Sequence, residues 1–144
     1  MRRVLVLNGP NLNQLGSREP DVYGSASWDE LVADLSAMSN DSVEVSVRQT
    51  NSESELIGWL HDAFADGNDV VLNPAAFTHY SYALRDAVAM LTSSGRNVVE
   101  VHISNPHARE EFRHNSVIAG VASGVIAGFG VESYRLALAA LGIK

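Results

Sequence analysis

Three stretches of the chain are dense in side chains that move protons or hold anions. The first is Asn8-Gly9-Pro10-Asn11-Leu12-Asn13, followed by Arg18 and Tyr23. The second is Asn73-Pro74-Ala75-Ala76-Phe77-Thr78-His79. The third holds Glu100, His102, Ser104 and Asn105, then Arg109 and Arg113. Glu100 and His102 are two residues apart, so on a strand they face the same side. That spacing permits a carboxylate–imidazole pair for acid–base work, or an ordinary ion pair. Taken alone, Asn8 and Asn13 read as turn chemistry. Arg109 and Arg113, beside Glu110 and Glu111, read as a solvated charge run. The stretch from Gly9 to Ser25 is harder to pass over. Seventeen residues is long for a connection inside a compact domain, and such loops tend to be functional. Its Arg, Tyr and Gly content suggests a lid over about residues 9–25.

The elements that must position these groups follow from periodicity. Val4 to Asn8 is a short apolar run bounded by Gly9 and Pro10 and reads as a buried strand. Ser27 and Glu30 have capping-box spacing, with Trp28, Leu31, Val32, Leu35 and Met38 behind them at helical spacing. Val43, Val45 and Val47 alternate as in a half-buried, edge-like strand. Ser52 and Glu55 repeat the capping box before Leu56, Ile57, Leu60 and Phe64, and Gly67 stops that helix. Val70 to Asn73 predicts a third strand. A helix runs from about Ser81 to Gly95, and a fourth strand from Val98 to Ile103. Gly124 to Phe129 predicts a fifth strand, and Tyr134, Leu136, Leu138 and Leu141 mark a last helix. Strand and helix alternate throughout, which implies a parallel sheet covered on both faces. The expectation is one flavodoxin-like α/β domain over residues 1–144: a three-layer sandwich with a five-stranded parallel sheet, order 2-1-3-4-5. In such sheets ligands bind beyond the carboxyl ends of the strands at the switch point, where the three stretches would converge.

Composition narrows the function. The chain has 144 residues, 46% of them hydrophobic and 19% charged, and no cysteine. Disulfides, thiolate metal sites and a cysteine nucleophile are therefore out. The formal net charge is −7 and the ten basic residues are scattered, which does not suit nucleic acid. The apolar run after Arg2-Arg3 is too short for a signal sequence or a membrane span. The expected setting is the cytoplasm, with no membrane partner. Phosphate-loop, dinucleotide, serine-hydrolase and zinc-protease motifs are missing. The five histidines show no metal-ligand spacing, so no metal and no cofactor are expected. His61 reads as a surface residue; His107 and His114 are left undecided between loop orientation and exposure.

Read together, the three stretches resemble type II 3-dehydroquinate dehydratases. The first match runs from Asn8 to Asn13, through Leu15-Gly16 and Arg18-Glu19-Pro20 to Tyr23-Gly24. The second runs from Asn73 to His79 and on to Ala83-Leu84-Arg85-Asp86. The third covers Glu100 to Asn105 and His107 to His114. Gly124 to Gly130 and Tyr134 also fit, so the likeness spans essentially the whole chain in matching order. It implies removal of water from 3-dehydroquinate: a proton leaves C2, an enolate forms, and the C1 hydroxyl departs, without a metal or a Schiff base. The only lysine is Lys144, which does not suit an imine route.

By this resemblance Tyr23 is the base and Arg18 the cation beside it. A free phenol is only ~0.1% ionised at neutral pH, so a phenolate base needs such a charge. Asn11 would hold a water on the enolate oxygen. His102 is the general acid and Glu100 orients it. Asn73, the Ile103 backbone N–H and Ser104 would hold the substrate carboxylate, and His79 and Arg113 its hydroxyls. Asp86 would reach the site from a neighbouring subunit, in a trimer of which four form a dodecamer. The resemblance leaves biosynthetic and quinate-degrading roles open. Gln14, Ala75, Phe77, Tyr80 and Asn115 depart from the usual pattern. Ala75 matters most, because a glycine there would let the backbone approach substrate. The rival readings are a non-catalytic flavodoxin-like binding module and a relative that has lost activity.

Overall fold

A computed structural model describes residues 1–17 and 19–143. Its sheet is built from β1 (Arg2–Asn8), β2 (Val43–Gln49), β3 (Asp69–Asn73), β4 (Val98–His102) and β5 (Gly124–Ala127). The strands are parallel and ordered β2-β1-β3-β4-β5, as the sequence pattern predicts. Four helices cover the sheet: α2 (Trp28–Ser36), α3 (Glu53–Asp66), α4 (Tyr82–Ser93) and α5 (Glu132–Ala140). A one-turn helix, α1 (Pro20–Tyr23), lies within the long stretch after β1.

Alternation along β1 divides the core in two, because successive side chains point to opposite faces. Val4 and Val6 pack with Leu31 and Leu35 of α2 and with Ala137 and Leu138 of α5. Leu5 and Leu7 pack with Leu56 and Leu60 of α3 and with Leu84, Val88 and Leu91 of α4. Three helices begin where the sequence places a serine cap. Ser27, Ser52 and Ser81 each accept from the backbone N–H three residues on, at 3.1 Å. Gly67 ends α3 with φ 72°, the left-handed conformation glycine adopts without cost. Phe64, expected on the buried face of α3, is instead 45% exposed. Met38 falls beyond the end of α2 but still packs against the core. Among the described residues, no helix is long and apolar enough to cross a membrane.

Candidate active site

β1, β3 and β4 end side by side, and their ends form the floor of a cleft. Asn8 and Asn73 are register partners on adjacent strands. The chains beyond them stay close: Gly9 N–H donates to the Asn73 carbonyl at 2.8 Å. A Cβ on Gly9 would lie 2.6 Å from the Pro74 carbonyl oxygen, so only glycine fits there. Beneath this junction a buried chain of hydrogen bonds crosses to α5. Asn73 Nδ2 donates to the Tyr134 hydroxyl at 2.8 Å, and that hydroxyl donates to Asn8 Oδ1 at 2.6 Å. Asn8 Nδ2 in turn donates to the Arg48 carbonyl at 3.1 Å. Asn8 is thus more than a turn residue. Burial pushes the Tyr134 hydroxyl's pKa far up, so it remains a neutral donor and acceptor. Asn73 Oδ1 accepts from Ala75 N–H at 3.0 Å. Both ends of the Asn73 amide are therefore fixed, and one of its two N–H bonds is left for the cleft.

Ala75 stands in a conformation that favours glycine. Its φ is 51°, in the left-handed region that a Cβ disfavours. The bond from Asn73 holds it there.

At the end of β4, Glu100 and His102 pair as their spacing permits. His102 Nε2 lies 2.5 Å from Glu100 Oε2. Glu100 is wholly buried. Burial alone would push its carboxyl up. The hydrogen bond and charge of His102 outweigh that, with help from the Thr78 and Ser116 hydroxyls, and hold it below the usual carboxylate range. His79 stands across the cleft wall. Its Nδ1 donates to the Asn115 carbonyl at 2.8 Å, which leaves Nε2 for a ligand. Burial holds the His79 imidazole below its ordinary value, against the pull of that carbonyl.

Tyr23 closes α1 and is 8% exposed, with its ring in the core cluster under α2 and α5. The Arg109 guanidinium carbon lies 5.1 Å from the centroid of that ring. Arg109 Nη1 also donates to Ser104 Oγ at 3.1 Å. Arg109 and Arg113 are therefore not a solvated run on one helix. Two separate 3-10 turns, Pro106–Ala108 and Glu111–Arg113, redirect the chain between them. Both side chains turn inward, 14% and 18% exposed. His114 Nε2 donates to the Arg109 carbonyl at 3.0 Å, and its ring lies 6.0 Å from that of His107, so these histidines do orient the loop.

The cleft is small, about 130 Å³. Tyr23, His102 and Asn11 line it, as do Asn73, His79, Ile103, Ser104 and Arg113. Glu100 stands behind His102 rather than in the cleft. Asp86 does not line it; its carboxylate lies exposed on α4, 3.1 Å from Arg85. Arg18 lies outside the described residues. The sequence reading missed Arg109 as a cleft residue, and it missed Thr78 and Ser116 as partners of Glu100. A hydroxyl beside His79 and another two residues after His114 were the available signals.

Comparison with known proteins bears directly on this arrangement. The family described as "Dehydroquinase class II" matches residues 2–142. The 3-dehydroquinate dehydratase of Salinispora tropica is 56% identical over 137 residues, covering 94% of each chain. That of Bacillus licheniformis is 54% identical over 139 residues, covering 96% of this chain and 94% of its own. The crystal structure of type II dehydroquinase from Propionibacterium acnes superposes with a TM-score of 0.92 at 48% identity, covering 98% of this chain and 96% of that one. Fold and sequence agree over nearly the whole chain, and on that ground this chain is an enzyme of the class II dehydroquinase family.

Proposed function

We propose that this cleft converts 3-dehydroquinate to 3-dehydroshikimate and water, with Tyr23 as base and His102 as acid. The observation that carries the reading is the placement of a phenol and a carboxylate-paired imidazole on one cleft. Tyr23, as phenolate, takes a proton from C2, and the electron pair passes to the C3 carbonyl to form an enolate. The enolate then collapses, the C1–oxygen bond breaks, and His102 gives its proton to the departing hydroxyl. The electrons end in the new double bond and the proton on water.

Charge placement supports these roles. Arg109 lies over the Tyr23 ring and places a cation against its aromatic face. Arg18 is retained as a second cation from the family likeness. Asn11 would hold a water on the enolate oxygen, a preorganised donor worth about 3–4 kcal/mol in the transition state. Asn73, Ile103 N–H and Ser104 would bind the substrate carboxylate, and His79 and Arg113 its hydroxyls. The segment at about 9–25 acts as the lid of a single catalytic domain. Asp86, exposed on α4, suits a role in a neighbour's site within a trimer and dodecamer. The reading needs no cofactor and sets the enzyme in the cytoplasm.

The test is to follow the conjugated enone product by its ultraviolet absorbance. Wild-type protein should turn over 3-dehydroquinate, while Tyr23→Phe should bind it and show no turnover. Near-normal turnover by that variant would remove Tyr23 from the role of base.

A further inference from the structure

Behind His102 lies a layer of hydroxyls that the family reading does not use. Ser116 Oγ accepts from Ile118 N–H at 3.1 Å and from Ala119 N–H at 3.0 Å. Both of its lone pairs are filled, so its one proton must go elsewhere. Its available acceptors are the two Glu100 oxygens, both 3.0 Å away, and Thr78 Oγ1. Thr78 Oγ1 lies 2.6 Å from both Glu100 Oε2 and Ser116 Oγ. Since Ser116 is saturated as an acceptor, the Thr78 proton goes to Glu100. Glu100 Oε2 thus receives the Thr78 hydroxyl, has Ser116 Oγ beside it, and faces His102 Nε2 at 2.5 Å. Despite its burial, and with His102 and the two hydroxyls around it, the Glu100 carboxyl is held below the usual carboxylate range and is ionised at neutral pH. An ionised carboxylate accepts only, so His102 Nε2 must carry a hydrogen.

We propose that Ser116 and Thr78 are positioning residues for the reaction: by fixing Glu100 as an acceptor, they lock His102 with hydrogen on Nε2 and leave Nδ1 as the nitrogen that meets substrate. The catalytic part rests on the reading of His102 as acid. Neither residue lines the cleft, and both act through Glu100. The hydrogen on Nε2 stays with the carboxylate in every step. The proton delivered to the leaving hydroxyl is the one on Nδ1, and it is replaced from solvent after product leaves. Without the hydroxyls, the carboxylate has free lone pairs and the ring is free to exchange which nitrogen faces the cleft.

The test combines tautomer and turnover. Protein labelled with ¹⁵N-histidine reports which His102 nitrogen carries hydrogen when the ring is neutral. Wild type should show a single Nε2–H form. In Ser116→Ala and Thr78→Val, the His102 signal should divide between two tautomers, and kcat should fall about tenfold or more while KM stays within about twofold. Ser116→Thr, which keeps the hydroxyl, should restore both. Thr78→Val leaves the backbone cap at Ser116 intact, so it answers the question if Ser116→Ala does not fold. A single Nε2–H form with wild-type kcat in either alanine or valine variant overturns the proposal. His102→Ala separates the two readings. If that variant keeps turnover while Thr78→Val divides the tautomer, the acid role fails and the tautomer lock stands.

Discussion

The Arg109 guanidinium carbon lies 5.1 Å from the centre of the Tyr23 ring, close enough for the cation to act on the aromatic face. The contact joins α1 to the loop after β4, and it sits beside Ser104 at the cleft edge. Arg109→Ala should therefore lower kcat. A desolvated cation–π contact is worth up to ~2 kcal/mol, which corresponds to a loss of up to about 30-fold. Arg109→Lys should recover little, because an ammonium cannot both lie flat on the ring and reach Ser104. Steady-state kinetics on the two variants decides this, and equal rates for wild type and Arg109→Ala would show the stack to be structural.

Tyr134→Phe should destabilise the fold. The change leaves the packing of the ring but strands Asn73 Nδ2 and Asn8 Oδ1, which both bond the hydroxyl. Each buried unpaired polar group costs about 1–3 kcal/mol, so the loss should be about 2–6 kcal/mol. A urea titration should show a lower midpoint with an unchanged slope. KM should rise too, since the Asn73 amide loses its fixed orientation.

Ala75→Gly should act the other way. The substitution removes left-handed strain at φ 51° while giving up a half-buried methyl group. The net gain should be up to about 1 kcal/mol, or a Tm higher by about 2–4 °C. A lower Tm would mean that the Asn73 bond makes the conformation costless for alanine.

Acid should weaken the fold in two stages of the same sign. His79 has a folded pKa held below its ordinary value by burial, so the unfolded chain takes up the proton first. Stability then falls as pH drops below the ordinary histidine range near ~6.5. Glu100 also has a lowered folded pKa, so its contribution is full above the ordinary carboxylate range and lost as pH falls through the folded value. Denaturant midpoints between neutral and acidic pH should decline steadily. In Glu100→Gln the carboxylate stage should be smaller, and a wild-type decline there would assign that stage to other groups.

Borohydride added with substrate should leave activity unchanged. The one lysine is Lys144, and the proposed route forms no imine. Loss of activity that depends on substrate would indicate a covalent intermediate and contradict the enolate route.

The fold was readable because its signals are local. Serine caps, alternating valines and the regular exchange of strand for helix require no knowledge of distant contacts. Part of the site was readable for the same reason: Glu100 and His102 share a strand face by spacing alone. Arg109 was not. In sequence it stands beside two glutamates and looks solvated, and only the pair of 3-10 turns brings it against Tyr23. Ser116 and Tyr134 were hidden differently. Their partners lie 16 residues or more away, and neither residue type announces a partner at that range. The stretch from Gly9 to Ser25 was read as a loop, yet it contains a 3-10 turn at Leu12–Gln14 and the short α1.

The bond between Tyr134 and Asn8 joins positions 126 residues apart. During synthesis, every residue that lines the cleft therefore leaves the ribosome before the tyrosine that clamps two strand ends from below. A nascent chain holds the Tyr23 phenol, the His102 imidazole and the Asn73 amide well before it holds the clamp. Contacts so far apart in sequence close late, because the intervening loop must first be ordered. The Asn73 amide at the cleft is then fixed late, by a helix that contributes no residue to the cleft lining.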